Sequence, residues 1–299
     1  MAQALANHWR PTFETKPIDA VDLRAWIREL KQQGKLPNIC PRRGDRARWS
    51  IREQDIRWAI KVCKRSAPGP DGVGATHWKA LGRYGVKTLF KAAQAMEKED
   101  AAWEIPEAFA DEGSGHNLYN RGTLCCIPKG NGEATEAGGR AWSPANTRPL
   151  SIVDMDNRII ALAFRRRWEG HINRWVSREQ RGFLPKRSML ANVVQMEAKA
   201  ISVAARHRQG AAVLIDFKAA FPSISHEYLL TCLRAVGLPN SALRVIQRLY
   251  QDGHCEISVG GADYGRGSPW NPASDRVVRS HPCCSLWSWM FSCGLSRGH

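Results

Sequence analysis

Five apolar residues in a row, Ala211-Ala212-Val213-Leu214-Ile215, run straight into Asp216. A continuous run of this length, bounded by Gly210 and a carboxylate, reads as a strand buried on both faces, because a half-exposed strand would alternate polar and apolar positions. Such a strand needs helices above and below it. That requirement suits a mixed fold of helices and strands.

The rest of the chain supplies the helices. Leu23, Trp26, Ile27 and Leu30 fall at helical spacing within Val21 to Gln32. Further helices are expected over Asp55 to Lys64, Ala75 to Glu97, Ile152 to Trp175, Ser188 to Arg206, Tyr228 to Val236 and Ala242 to Gln251. Short strands are expected at Thr123 to Ile127 and Cys255 to Val259. Gly130 to Ala145 reads as a glycine-rich connection, and Ser66 to Gly72 as a turn between helices. There are no internal repeats. The fold class is α+β and helix-rich.

The 44 Lys+Arg against 28 Asp+Glu leave a formal net charge of +16, which favours a polyanionic partner. Cations that meet phosphates release condensed counterions, so nucleic acid leads and an anionic membrane surface follows. The Arg165-Arg166-Arg167 run is either a solvated helix face or a phosphate contact. No stretch of about 18 apolar residues and no leader stands in the sequence, which points to intracellular action, in the cytoplasm, the nucleus or both. Nine cysteines at irregular positions form no disulfide framework. Zinc is not expected: in the Cys- and His-rich tail Cys283 and Cys284 are adjacent, whereas structural zinc takes cysteines two to four residues apart.

A carboxylate at the tip of a buried strand is a natural Mg²⁺ ligand, since Mg²⁺ in phosphoryl-transfer sites is held by one or two carboxylates plus substrate phosphates. A helix cap or a solvated strand end is the alternative for an isolated Asp216. Its neighbours add information. The stretch Asp216-Phe217-Lys218-Ala219-Ala220-Phe221-Pro222-Ser223-Ile224-Ser225-His226 resembles the first catalytic motif of the reverse transcriptases of non-LTR (LINE-like) retrotransposons. The resemblance implies that Asp216 and the Phe217 carbonyl bind the catalytic metals. It also implies that Phe221 packs under the incoming sugar and excludes a 2′-hydroxyl; plain core packing is the other account of that ring.

Upstream segments match the same family in the same order. Arg65 to Gly72, with Pro68-Gly69-Pro70-Asp71-Gly72, is similar to an element at the entrance of the fingers, so Pro70, Asp71 and Gly72 are implied to touch template RNA. Ile127-Pro128-Lys129 and Arg148-Pro149-Leu150-Ser151-Ile152 look like two finger strands that present Lys129 and Arg148 to the nucleotide triphosphate. Two cations there would offset charge on the leaving group. Gln180 to Ser188 resembles an element lining the template channel, which implicates Gly182, Phe183 and Arg187. Lys186 stands where many members have Gly.

The family's second carboxylate motif is an aromatic-Ala-Asp-Asp hairpin, and these 299 residues contain no Asp-Asp. The family pattern stops after Gly267. Back-translated and read from the third base of each codon, Pro269 to Ser285 can give Val-Glu-Ser-Gly-Ile-Arg-Gln-Gly-Cys-Pro-Leu-Ser-Pro-Leu-Leu-Phe, which resembles the family's next motif. Residues 268–299 are therefore expected to be a frame-shifted tail, residues 1–48 a lead-in segment, and 49–267 reverse-transcriptase fingers with a partial palm and an incomplete palm sheet. By resemblance the intact protein is an RNA-directed DNA polymerase using Mg²⁺, an RNA template, a DNA primer and deoxynucleoside triphosphates, and the chain as written is expected to be inactive. A non-catalytic nucleic-acid-binding remnant is the alternative, marked by salt-sensitive RNA binding without incorporation. A group II intron maturase would need splicing-associated segments downstream.

Overall fold

The computed structural model describes residues 1–14, 17–36, 38–40, 48–99, 118–136, 138–174, 176–182, 184–206, 209–216, 224–251, 253–260, 262–264 and 277–279. Helices dominate, with a small mixed sheet, so the α+β class holds. No helix among the described residues is long and apolar enough to cross a membrane.

Helix α1 (Ala2–Phe13) opens the chain, a helix that the sequence reading left out. Leu5, Trp9 and Phe13 repeat at i, i+4 and i+8, a signal obscured by Pro11. Helix α2 (Ala20–Gln32) is capped by Asp19, whose side chain accepts from the Val21 and Asp22 amides at 2.8 and 3.0 Å. Helix α3 (Glu53–Val62) follows. The helix expected over Ala75 to Glu97 is two, α4 (Ala75–Ala80) and α5 (Gly82–Glu97). Gly82 takes a φ of +52°, which breaks a right-handed helix at that point.

Strand β1 (Arg121–Pro128) pairs antiparallel with β4 (Thr147–Val153), and between them β2 (Glu133–Ala134) and β3 (Arg140–Ala141) make a small ribbon inside the glycine-rich connection. Helix α6 (Met155–Ile172) begins two residues after β4. Thus the helix expected from Ile152 starts later, its first residues being drawn into the sheet. Helices α7 (Leu190–Arg206), α8 (His226–Ala235) and α9 (Asn240–Tyr250) follow. Strand β5 (His254–Val259) then joins β1 in parallel, and its far edge carries β6 (Ala262–Tyr264) and β7 (Val277–Arg279). Strand β7 thus falls within residues 268–299.

Two cores hold these elements. The larger joins α3, α5, α6 and α9 through fully buried Ile56, Met96, Phe164, Trp168, Ile246 and Leu249. Trp168 Nε1 donates to the Trp49 carbonyl at 2.8 Å, tying the segment before α3 to α6. The smaller places Leu5, Ala6, Trp9 and Phe13 of α1 against Leu124, Cys255 and Ile257 of the sheet. Trp9 Nε1 also donates to Thr147 Oγ1 at 3.1 Å, so α1 is packed onto one sheet face.

The strand expected at Ala211–Ile215 is absent. Residues 211–216 form no strand, and Val213, Leu214 and Ile215 are 81, 81 and 78% exposed. An interior strand is stable only with hydrogen-bonded neighbours and a layer on each face. Among the described residues no strand pairs with this run, and α7 just before it buries none of its residues. The local apolar signal is real; the surroundings that would bury it are missing from the described structure.

Candidate nucleic-acid interface

Lys129 and Arg148 come together through the register of β1 and β4. Ile127 pairs with Arg148, and the Lys129 amide donates to the Asn146 carbonyl at 2.8 Å. Cross-strand partners and residues two apart share a face, so both cations lie on one side of the ribbon at one end. The opposite face, with Gly122 and Leu124, turns toward α1. On the cation side Ile127 and Leu150 are 47 and 43% exposed, giving a basic end on an open, partly apolar surface. A cleft of about 420 Å³ adjoins it, lined by Lys129, Asn131, Glu133, Ser143 and Asn146.

The turn at Pro68 to Gly72 is fixed against the start of α6. The Asp71 amide donates to Asp154 Oδ1 at 3.1 Å. Arg158 donates to Ser66 Oγ at 3.0 Å and to the Ala67 carbonyl at 2.8 Å. A Cβ on Gly69 would lie 2.2 Å from Asp154 Oδ1, so only glycine allows this approach. Gly72 takes a φ of +71°, as such a turn requires. Because β4 leads directly into α6, Asp154 links the turn to the strand that carries Arg148.

Asp71, Asp154 and Asp156 each place a carboxylate oxygen within 4.8 Å of the others. Burial pushes Asp154 up to about 7 against the Asp71 amide, and the neighbouring carboxylates add to the rise. Burial also raises Asp156. Asp154 and Asp156 were not found from the sequence: 83 positions separate Asp71 from Asp154, and no local pattern predicts their meeting. One Asp154 oxygen accepts from the Asp71 amide and so ties the turn to α6, while an Asp156 oxygen accepts from the Asn157 amide at 2.6 Å.

The segment around Gly182 is shaped by Arg187. Its guanidinium donates to the carbonyls of Asn173, Val176, Ser177 and Gln180, the Gln180 bond being 2.7 Å. That planar fork holds the connection between α6 and α7 in place. Gln180 Nε2 reaches the Gly182 carbonyl at 3.3 Å. Lys186 has a φ of +60°, the only positive φ outside glycine among the described residues. A glycine at that position would carry no Cβ strain. Arg166 is exposed and Arg167 half-buried, and both are held by partners within the fold. The former lies 4.2 Å over the Trp58 ring and 3.7 Å from Asp55, and the latter donates to the Ser50 carbonyl at 2.8 Å.

Asp216 is exposed at the end of the unpaired run, an oxygen donor of the type Mg²⁺ takes. Phe183, Phe217 and Phe221 lie outside the described residues. Just beyond, Ser225 caps α8 by accepting from the Tyr228 amide at 3.4 Å.

Residues 127–269 match the family described as "Reverse transcriptase (RNA-dependent DNA polymerase)". The chain is also similar to the "Retrovirus-related Pol polyprotein from type-1 retrotransposable element R2" of Nasonia vitripennis, 24% identical over 229 residues. The protein of the same description from Popillia japonica is 22% identical over 248 residues. These alignments take in 77% and 80% of this chain but 19% and 31% of the relatives, so the chain spans under a third of their length.

Proposed function

Because the chain carries a reverse transcriptase domain of the non-LTR retrotransposon class, we propose that the intact protein copies RNA into DNA, and that these residues supply its fingers and part of its palm. The observation that carries this reading is the shared face of Lys129 and Arg148 at one end of the β1–β4 ribbon. Two cations fixed by strand register can hold a triphosphate before reaction and need no rearrangement as charge develops. Asp216, with the Phe217 carbonyl, would hold Mg²⁺, which would neutralise the phosphates and activate the primer 3′-hydroxyl. Phe221 would sit under the sugar and select deoxynucleotides. Pro70, Asp71 and Gly72 would meet template RNA on one side, and Gly182 and Phe183 on another. Arg187 would act there by shaping the segment, its guanidinium being turned to carbonyls. Residues 268–299 would be the frame-shifted tail; the family match ends at residue 269.

Equilibrium binding of a fluorescent deoxynucleoside triphosphate with Mg²⁺ tests the ribbon. Lys129→Ala and Arg148→Ala should each weaken it about tenfold, the scale of one lost charge-assisted contact. Unchanged affinity in both would reject the assignment.

A second reading is favoured by the exposure of Val213 to Ile215: this polypeptide binds nucleic acid but does no chemistry. RNA binding that falls steeply with salt, in a preparation that incorporates no nucleotide, would support it.

A further inference from the structure

The outer face of α5 carries a stripe of cations that neither the fold nor the nucleotide site uses. Its inner face, Gly85, Val86, Leu89, Ala93 and Met96, is buried against the larger core. At about 100° per residue, Arg83, Lys87, Lys91 and Lys98 fall within one quadrant of the opposite face, with Gln94 between them. All five are exposed. Among the described residues neither Lys87 nor Lys91 has an acidic partner within ion-pair distance. The helix's one carboxylate, Glu97, is turned away and accepts from the Ile51 amide at 3.0 Å. Glu99 lies 3.7 Å from Arg244.

Cations four residues apart on a helix are about 6 Å apart along its axis, comparable with successive phosphates on a nucleotide strand. An aromatic ring stands beside them. Tyr84 is 64% exposed, and the Arg83 guanidinium lies 5.0 Å over its ring while donating to its hydroxyl at 3.1 Å. An exposed ring among cations suits base stacking beside a phosphate path. A membrane-lying helix would need an apolar outer face, and this one has none. The stripe also starts eleven residues after Gly72, on the helix that follows the braced turn through α4.

We propose that the Arg83-Lys87-Lys91 face of α5, with Tyr84, is a nucleic-acid-binding surface that carries the phosphate backbone of the RNA onward from the Pro70-Asp71-Gly72 turn. This rests on the template reading above. The strand lies along the helix, its phosphates on the three cations and one base against Tyr84.

The test is binding of a labelled single-stranded RNA to the full chain at several salt concentrations. The triple variant Arg83→Gln/Lys87→Gln/Lys91→Gln should lower the slope of log affinity against log salt by roughly 2, at about 0.7 per phosphate contact on a single strand. A control removing equal charge from α2, Arg24→Gln/Arg28→Gln/Lys31→Gln, should leave the slope unchanged, and Tyr84→Ala should weaken binding without altering it. Equal losses in both triples would overturn the proposal in favour of diffuse attraction. So would loss of binding to anionic phospholipid vesicles with RNA binding intact. Failure of the unaltered chain to bind RNA at all would instead reject the template reading. Thermal melts of both triples should match the parent, since these side chains are exposed.

Discussion

The buried amides of Asn120 and Asn157 are hydrogen-bonded to each other, Asn157 Nδ2 donating to Asn120 Oδ1 at 2.9 Å, with both residues wholly shielded from solvent. Asn120 Nδ2 donates in turn to the carbonyls of Arg248 and Gln251, 2.7 and 2.6 Å away, at the C-terminal end of α9. One side chain therefore joins the start of β1, the first turn of α6 and the end of α9. Asn120→Ala should cost about 2–4 kcal/mol, because it strands one buried donor and removes the partner of two carbonyls. Urea unfolding measures it, and a loss below about 0.5 kcal/mol would mean that water replaces the amide.

Lys186 supplies a second prediction. A φ of +60° strains any residue with a Cβ, while glycine's extra freedom in the unfolded chain offsets part of the gain. Lys186→Gly should stabilise the fold by about 0.5–1 kcal/mol. If Lys186 also meets template phosphate, the same variant should lower the salt slope of RNA binding by about 0.7.

Glu97 gives the fold a pH dependence. Burial lifts its carboxyl to about 7, against the Ile51 amide and the positive charges of Arg167 and Arg244. A carboxyl raised in the folded state favours folding while protonated, so its contribution is full below the ordinary Glu range. It is lost as pH climbs through about 7. Thermal melts should show Glu97→Gln matching the parent near pH 5 and exceeding it at pH 8. A Glu97→Gln protein less stable than the parent at pH 8 would show that Arg167 and Arg244 outweigh burial.

Gly69 allows the turn to reach α6. With Cβ 2.2 Å from Asp154 Oδ1 and 2.6 Å from the Asp154 backbone, Gly69→Ala must push the turn away and break the Asp71–Asp154 bond. Hydrogen exchange should then speed up at the amides of residues 71–74, with a loss of about 1–3 kcal/mol in stability. Unchanged exchange at the Asp71 amide would show that the contact is not needed to hold the turn.

Most helix positions were readable from local periodicity, as were β1 and β5, whereas α1 was not, and Lys129 and Arg148 were singled out by family resemblance alone. What was not readable depends on partners far along the chain. Ala211 to Ile215 has the composition of a buried strand, yet a strand requires neighbours, and Val213 stays exposed without them. In the Arg165-Arg166-Arg167 run Arg166 is exposed, but its contact with Trp58 and the bond of Arg167 to the Ser50 carbonyl involve partners more than a hundred residues upstream that no local pattern shows. Arg187 is recognisable by its family position alone, while its contact with four carbonyls depends on how the chain turns between α6 and α7. Asp154 gave no signal because its partner is an amide 83 residues away.

The last prediction is that this 299-residue polypeptide does not polymerise DNA. In-line displacement with two metals needs carboxylates from two places, and the sequence has no Asp-Asp to join Asp216. Asp216 itself ends an exposed, unpaired run, so its carboxylate lacks the rigid support that a sheet would give. Phosphoryl-type transfer depends almost wholly on positioning and electrostatics, and a displacement of about 1 Å can cost a hundredfold in rate. Missing ligands and a loose remaining one act together, so incorporation of labelled deoxynucleotides on a primed RNA template with Mg²⁺ should stay at background while RNA binding persists. A coding sequence re-framed near Gly267 should regain the Gln-Gly and Pro-Leu-Ser-Pro motif and, where the following motifs are intact, activity. Incorporation by the 299-residue chain that Asp216→Asn abolishes would show that a second carboxylate lies elsewhere in these residues.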